Sequence, residues 1–170
     1  MSEPEPLFKG VVVIDLEAGK GWDKLKLPLH VPILHNFTMT TDGVDDVRRS
    51  LIDSMHELEP FTAKLDHPEQ LMGGSKIWIR RLTSAALMNL HLEVFKAVRP
   101  HTVKKLDLGL VGDNYIPQIE SESRDSFTGD SLRVDHVSFA MGMIRHSFQQ
   151  VIWTESHTLE LGVPDDQNAS

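Results

Sequence analysis

The 170-residue chain contains no cysteine. That excludes a disulfide framework, a thiolate metal site and a cysteine nucleophile, and it fits a cytoplasmic protein. No apolar run approaches the roughly 20 residues that a membrane helix needs, so no membrane partner is expected. Positive charge is in deficit: 17 Lys and Arg stand against 25 Asp and Glu, for a formal net charge of -8. A protein that wraps a long polyanion carries a basic face, so duplex nucleic acid is not an expected partner. The local exceptions are Lys20 to Lys26, Lys76 to Arg81 and Lys104-Lys105. They are enough for a small phosphate ligand. The opening Met1-Ser-Glu-Pro-Glu-Pro is acidic, the wrong charge for a signal peptide. Walker, Gly-x-Gly-x-x-Gly and Gly-x-Ser-x-Gly elements are missing too. His35, His56, His67, His91, His101, His146 and His157 show no paired metal-ligand spacing. No metal and no cofactor are expected.

What is present is a soluble α+β pattern. Phe8 to Leu16 holds Val11-Val12-Val13-Ile14, a β-branched run that predicts a buried strand. Leu29 to Met39 predicts a second strand after a charged loop. Asp42 is positioned to cap a helix running to Glu59, with Val44, Val47, Leu51, Met55 and Leu58 in one apolar stripe. Phe61 to Leu65 and Lys76 to Leu82 predict strands. In the latter, Ile77, Ile79 and Arg81 share one face, and Trp78, Arg80 and Leu82 the other. A helix from Ser84 to Arg99 is capped by Thr83 or Ser84 and lined by Leu87, Leu90, Val94 and Val98. Tyr115 to Glu120, Leu132 to Met141 and Gln149 to Leu161 predict the remaining strands. Residues 163–170 are expected to form a flexible tail and residues 1–162 a single domain.

The chain is organised around Pro28-Leu29-His30-Val31-Pro32-Ile33-Leu34-His35-Asn36-Phe37. Alternation puts His30 and Pro32 on one strand face. Proline cannot donate to a strand ladder, so this strand is at an edge or has a reshaped polar face. With the mid-chain strand at Gly74 to Leu82, the segment Gly112-Asp113-Asn114-Tyr115-Ile116-Pro117-Gln118-Ile119-Glu120 and the closing hairpin Ser131 to Leu161, it resembles the 2H phosphoesterase superfamily, from about Phe8 to Gly162. That group includes the RNA 2',3'-cyclic phosphodiesterases and the 2'-5' RNA ligases. The resemblance implies two lobes, antiparallel sheets with outer helices around a central cleft, and one His-x-Thr/Ser motif in each lobe. Against that pattern, His30 is retained and Pro32 stands for the hydroxyl residue. Gln118 stands for the second histidine and Glu120 for its hydroxyl partner.

Two histidines near neutral pKa share the acid and base roles in opening a cyclic phosphodiester, and two hydroxyls stabilise the phosphoryl oxygens. Proline has no side-chain donor, and Gln118 cannot carry a proton at pH 7. An ionised Glu120 at ~4 Å from a phosphate repels it by roughly 4 kcal/mol at an effective dielectric of about 20. Losing one acid or base costs ~10²- to 10⁴-fold in rate. The resemblance therefore implies a degenerate member that binds a nucleotide-like or cyclic oligonucleotide ligand, with catalysis lost or altered. The site residues are His30, Gln118, Glu120, Tyr115, Arg80 and Trp78, with Tyr115 and Trp78 as stacking rings and Arg80 as a phosphate contact. Two alternatives stand beside it. His136-Val137-Ser138 is a literal His-x-Ser motif, so an active phosphodiesterase using His30 and His136 is one. An interaction protein with a vestigial cleft is the other.

Overall fold

The computed structural model describes residues 5–17, 23–103, 110–145 and 150–162. The expected tail at 163–170, Lys20, Lys104-Lys105 and His146 lie outside the described residues.

The elements are β1 (Leu7–Asp15), β2 (His30–Thr40), α1 (Thr41–His56), β3 (Phe61–Leu65), β4 (Glu69–Gln70), β5 (Trp78–Thr83), α2 (Ala85–Val98), β6 (Gln118–Ser121), β7 (Ser131–Val134), β8 (His136–Arg145) and β9 (Gln150–Glu160). They form two antiparallel sheets. The first runs β2-β1-β8-β9. In the second, β5 has β6 on one side and β3 with the short β4 on the other, and β7 lies outside β3.

Each sheet has one face against the helices. Val12 and Ile14 of β1 alternate inward and meet Val47, Leu51 and Met55 of α1 and Leu87, Leu90 and Val94 of α2 in one core. The second sheet joins that core through Ala63, Leu65, Leu82, Ile119, Leu132 and Val134. The opposite face of the first sheet carries a separate small cluster of Val11, Val13, Ala140 and Trp153, with Leu27 and Val151 against it. A strand buried on both faces explains why β1 reads as a continuous apolar run rather than an alternation.

Both helices start on hydroxyl caps. Thr40, not Asp42, caps α1 by accepting from the Gly43 N–H, so Asp42 falls in the first turn, where the helix dipole favours it. Ser84 caps α2 by accepting from the Leu87 N–H.

The expected strand Leu132 to Met141 is two strands in different sheets. β7 ends at Val134, Asp135 intervenes, and β8 begins at His136. The apolar phase marks the break. Leu132 and Val134 share one parity, and Val137, Phe139 and Met141 share the other, which is what a strand does when it changes sheets.

Candidate functional site

β2 is an edge strand, and its neighbour beyond that edge is β6 of the second sheet. β2, which carries His30, and β6, which carries Gln118 and Glu120, therefore adjoin along a seam. Pro32 costs no ladder hydrogen bond because it sits at this edge. The strand is also reshaped: the β1–β2 register slips on either side of Val12, so that Val12 pairs with Leu34 and Val13 with Pro32. The slip leaves Ile33 without a ladder partner, as in a bulge.

Two side chains catch the carbonyls of this bulge. The Tyr115 hydroxyl donates to the Pro32 carbonyl at 2.7 Å, and His91 Nδ1 donates to the Ile33 carbonyl at 2.7 Å. The two rings stack, with centroids 3.9 Å apart and planes at 10°. His91 Nε2 accepts from the Gly112 N–H at 3.0 Å. This pattern fixes a neutral ring with its proton on Nδ1. Burial drives the His91 pKa below the ordinary histidine value, the bond to Ile33 opposes that, and nearby His35 adds to the lowering. Tyr115 is buried, and burial pushes its phenol up.

Tyr115 is thus not available to stack on a base; it is part of the packing that holds the seam. Arg80 is corrected in the same way. It is 8% exposed and shares a sheet face with Leu82 and Ile119, the face toward the helices. Its Nε donates to the Asp66 carbonyl at 2.8 Å, and its Nη1 to the carbonyls of Phe127 at 2.7 Å and Gly129 at 2.8 Å. The guanidinium ties loop ends to β5. Trp78 lies on that face too, with the Arg124 guanidinium 5.7 Å from its ring centroid. The cation that shares the helix-free face with Gln118 is the next residue, Arg81, paired across β5–β6 with Gln118 and 3.5 Å from Glu69. Alternation gave the correct partition of Trp78, Arg80 and Leu82 from Ile79 and Arg81; it could not tell which set met the helices.

His30, Gln118 and Glu120 fall on the helix-free faces of their sheets, at the strands bordering the seam. Gln118 Nε2 donates to Glu120 Oε1 at 2.8 Å, so these two positions satisfy each other. His30 Nδ1 donates to the Pro28 carbonyl at 2.6 Å. His136 Nδ1 is 2.6 Å from Asp135 Oδ1. In both, Nε2 has no hydrogen-bond partner among the described residues. Both histidines lie on the helix-free face of the first sheet. Asp15 pairs with His30 across β1–β2, and the β1–β8 ladder ends at Val13–Ser138, one alternation before Asp15 and His136. Two strand spacings, about 10 Å, separate β2 from β8.

His91 is the residue the sequence reading passed over. The signal was present: Leu87, Leu90, His91, Val94 and Val98 lie on one helical stripe, and a histidine there is buried and requires partners. Among the described residues no cluster of three His, Asp or Glu is placed to hold a metal. A separate groove of about 460 Å³ opens between α1 and the β9 edge, lined by Arg48, Ile52, His56 and residues 156–160, away from the seam.

No family model and no curated protein matches this sequence. Solved structures do. E. coli LigT in complex with ATP superposes with a TM-score of 0.53 at 15% identity, covering 94% of this chain and 99% of LigT. The chain has a LigT-like fold. A crystal structure described simply as that of a phosphoesterase gives a TM-score of 0.52 at 16% identity, covering 93% of this chain and 99% of that one. TT0787 of Thermus thermophilus gives 0.56 at 11%, covering 90% and 98%. LigT has also been crystallised with NADP+, phosphate and 3'-AMP. In this chain, the LigT-like fold is built with glutamine and glutamate on the edge strand facing His30's strand. No helix among the described residues is long and apolar enough to cross a membrane.

Proposed function

We propose that the protein binds a nucleotide-like or cyclic oligonucleotide phosphodiester along the seam between β2 and β6, and does not cleave it by two-histidine chemistry. The observation that carries this reading is the Gln118–Glu120 pair. With Gln118 donating to the Glu120 carboxylate at 2.8 Å, β6 offers neither an imidazole nor a hydroxyl for a phosphoryl oxygen. The ligand class is supported by the LigT-like fold, since LigT has been crystallised with ATP, NADP+, 3'-AMP and phosphate. On this side His30 offers a free Nε2, and Arg81 offers a cation whose only charge partner among the described residues is the exposed Glu69. Thermal shift against 3'-AMP, a 2',3'-cyclic nucleotide and a cyclic dinucleotide, with recovery of the ligand afterwards, tests both halves. The expected result is a shift of several degrees with intact ligand, reduced in His30→Ala. No shift with any of the three overturns binding; steady turnover that His30→Ala abolishes overturns the loss of catalysis.

One observation favours a second reading. His30 and His136 share a sheet face, each anchored through Nδ1 with Nε2 open. Such a pair supplies a base and an acid if one ring is protonated. Under this reading turnover of the 2',3'-cyclic nucleotide falls at least 100-fold in His136→Ala as well as in His30→Ala, consistent with ~10²- to 10⁴-fold for a lost acid or base.

A further inference from the structure

We propose that His91 and Tyr115 form a clamp that sets β6 against β2 and that releases when His91 takes up a proton. The clamp goes beyond the ligand reading and stands without it, because all its parts are in the folded chain. Three segments meet at one imidazole. α2 supplies the ring, β2 supplies the Ile33 carbonyl, and the turn at 112–114 supplies the Gly112 N–H. Tyr115 follows that turn, stacks on the imidazole and reaches the Pro32 carbonyl. Three residues later comes Gln118, the first residue of β6. The position of β6 beside β2 is thus set through Gly112 and Tyr115.

The geometry makes this contact conditional on charge. With the Nδ1 proton committed to Ile33, Nε2 accepts from Gly112 by its lone pair. A proton added at Nε2 turns the acceptor into a donor facing another donor. The Gly112 amide then loses its partner, and a charged ring is left in a fully buried site. Relief comes from moving the turn away. Among the described residues, the titratable groups facing the ring are Tyr115, which is neutral across this range, and His35 on β2, whose own protonation adds repulsion. No carboxylate among the described residues is one of the groups that shift its titration. The direction of that shift agrees with the geometry: the folded protein resists protonation of His91, so acid favours the open arrangement.

The test is amide hydrogen exchange on ligand-free protein at pH 7.5 and pH 5.5, corrected for intrinsic rates, in wild type, His91→Gln and His91→Leu. Glutamine carries both a donor and an acceptor and does not titrate. In wild type, protection of Gly112 and of Gln118–Ser121 is expected to fall on acidification, by up to about tenfold per pH unit. His91→Gln is expected to keep its protection at both pH values, and His91→Leu to lack it at both. Wild-type protection that does not change with pH overturns the proposal, as does a His91→Gln protein that loses protection in acid as wild type does. If His91→Leu fails to fold, the wild-type and His91→Gln pair decides alone. Since no ligand is added, a failure of phosphodiester binding does not affect the outcome.

Discussion

Replacing Tyr115 by phenylalanine removes one oxygen from the seam and leaves the ring. In the folded protein that oxygen donates to the Pro32 carbonyl at 2.7 Å, from a side chain that is 5% exposed. The carbonyl belongs to the bulged part of an edge strand, and the phenol is its partner across the seam. Water cannot readily replace a donor at so enclosed a site. The expected loss is therefore that of a buried acceptor left unsatisfied, about 1–3 kcal/mol, not the smaller net value of an exchanged hydrogen bond. The stack on His91 is preserved, so the larger penalty of about 3–5 kcal/mol for deleting an aromatic ring does not apply. Urea unfolding should show a lower midpoint at unchanged slope.

A second readout comes from titration. Tyr115 is the only tyrosine in the chain, so phenolate absorbance reports it alone. Burial raises its pKa above the ordinary 10.0. A raised pKa in the folded state means that, above pH 10, the unfolded chain holds fewer protons than the folded one. Stability is then complete below pH 10 and falls as the pH rises past it, by at most about 1.4 kcal/mol per unit. Tyr115→Phe should lack this alkaline limb. A variant that loses under about 0.5 kcal/mol at pH 7 and keeps the alkaline limb would refute the role given to the hydroxyl.

Arg80→Met removes the donors of three carbonyls and is expected to cost about 3 kcal/mol or more in urea unfolding, whereas Arg81→Gln, at an exposed ion pair, should change stability by under about 1 kcal/mol. Gly142→Ala presses a Cβ into the Ile152 carbonyl at the β8–β9 bulge; backbone must move, and the expected cost is about 1–3 kcal/mol with a lower Tm. The folded-state pKa of His91 is depressed, so its contribution is complete above pH 6.5 and is lost as the pH falls below that value, at no more than about 1.4 kcal/mol per unit; wild type should show this acid limb and His91→Gln should lack its His91 part.

The local signals in this chain were strong wherever one residue's neighbours in sequence are also its neighbours in space. The stripe Val47, Leu51, Met55 and a hydroxyl cap at Thr83 or Ser84 gave the helices, and the run Val11 to Ile14 gave the central strand, because periodicity and capping act within a few residues. The missing N–H of Pro32 pointed to an edge or to a reshaped strand, and β2 is both. What tertiary structure decided was whom each side chain meets. Alternation separated Arg80 from Arg81, but only the docking of the second sheet on α2 turned Arg80 to the carbonyls of Asp66, Phe127 and Gly129 and left Arg81 on the other face. In the sequence Tyr115 reads as a stacking ring; its hydroxyl instead meets a carbonyl 83 residues earlier in the chain. His91 had the burial pattern of its helix, yet its two partners, Ile33 and Gly112, come from separate segments that no local pattern links. Local backbone preferences are written in consecutive residues, whereas satisfying a buried polar group depends on the segments that the fold brings to it.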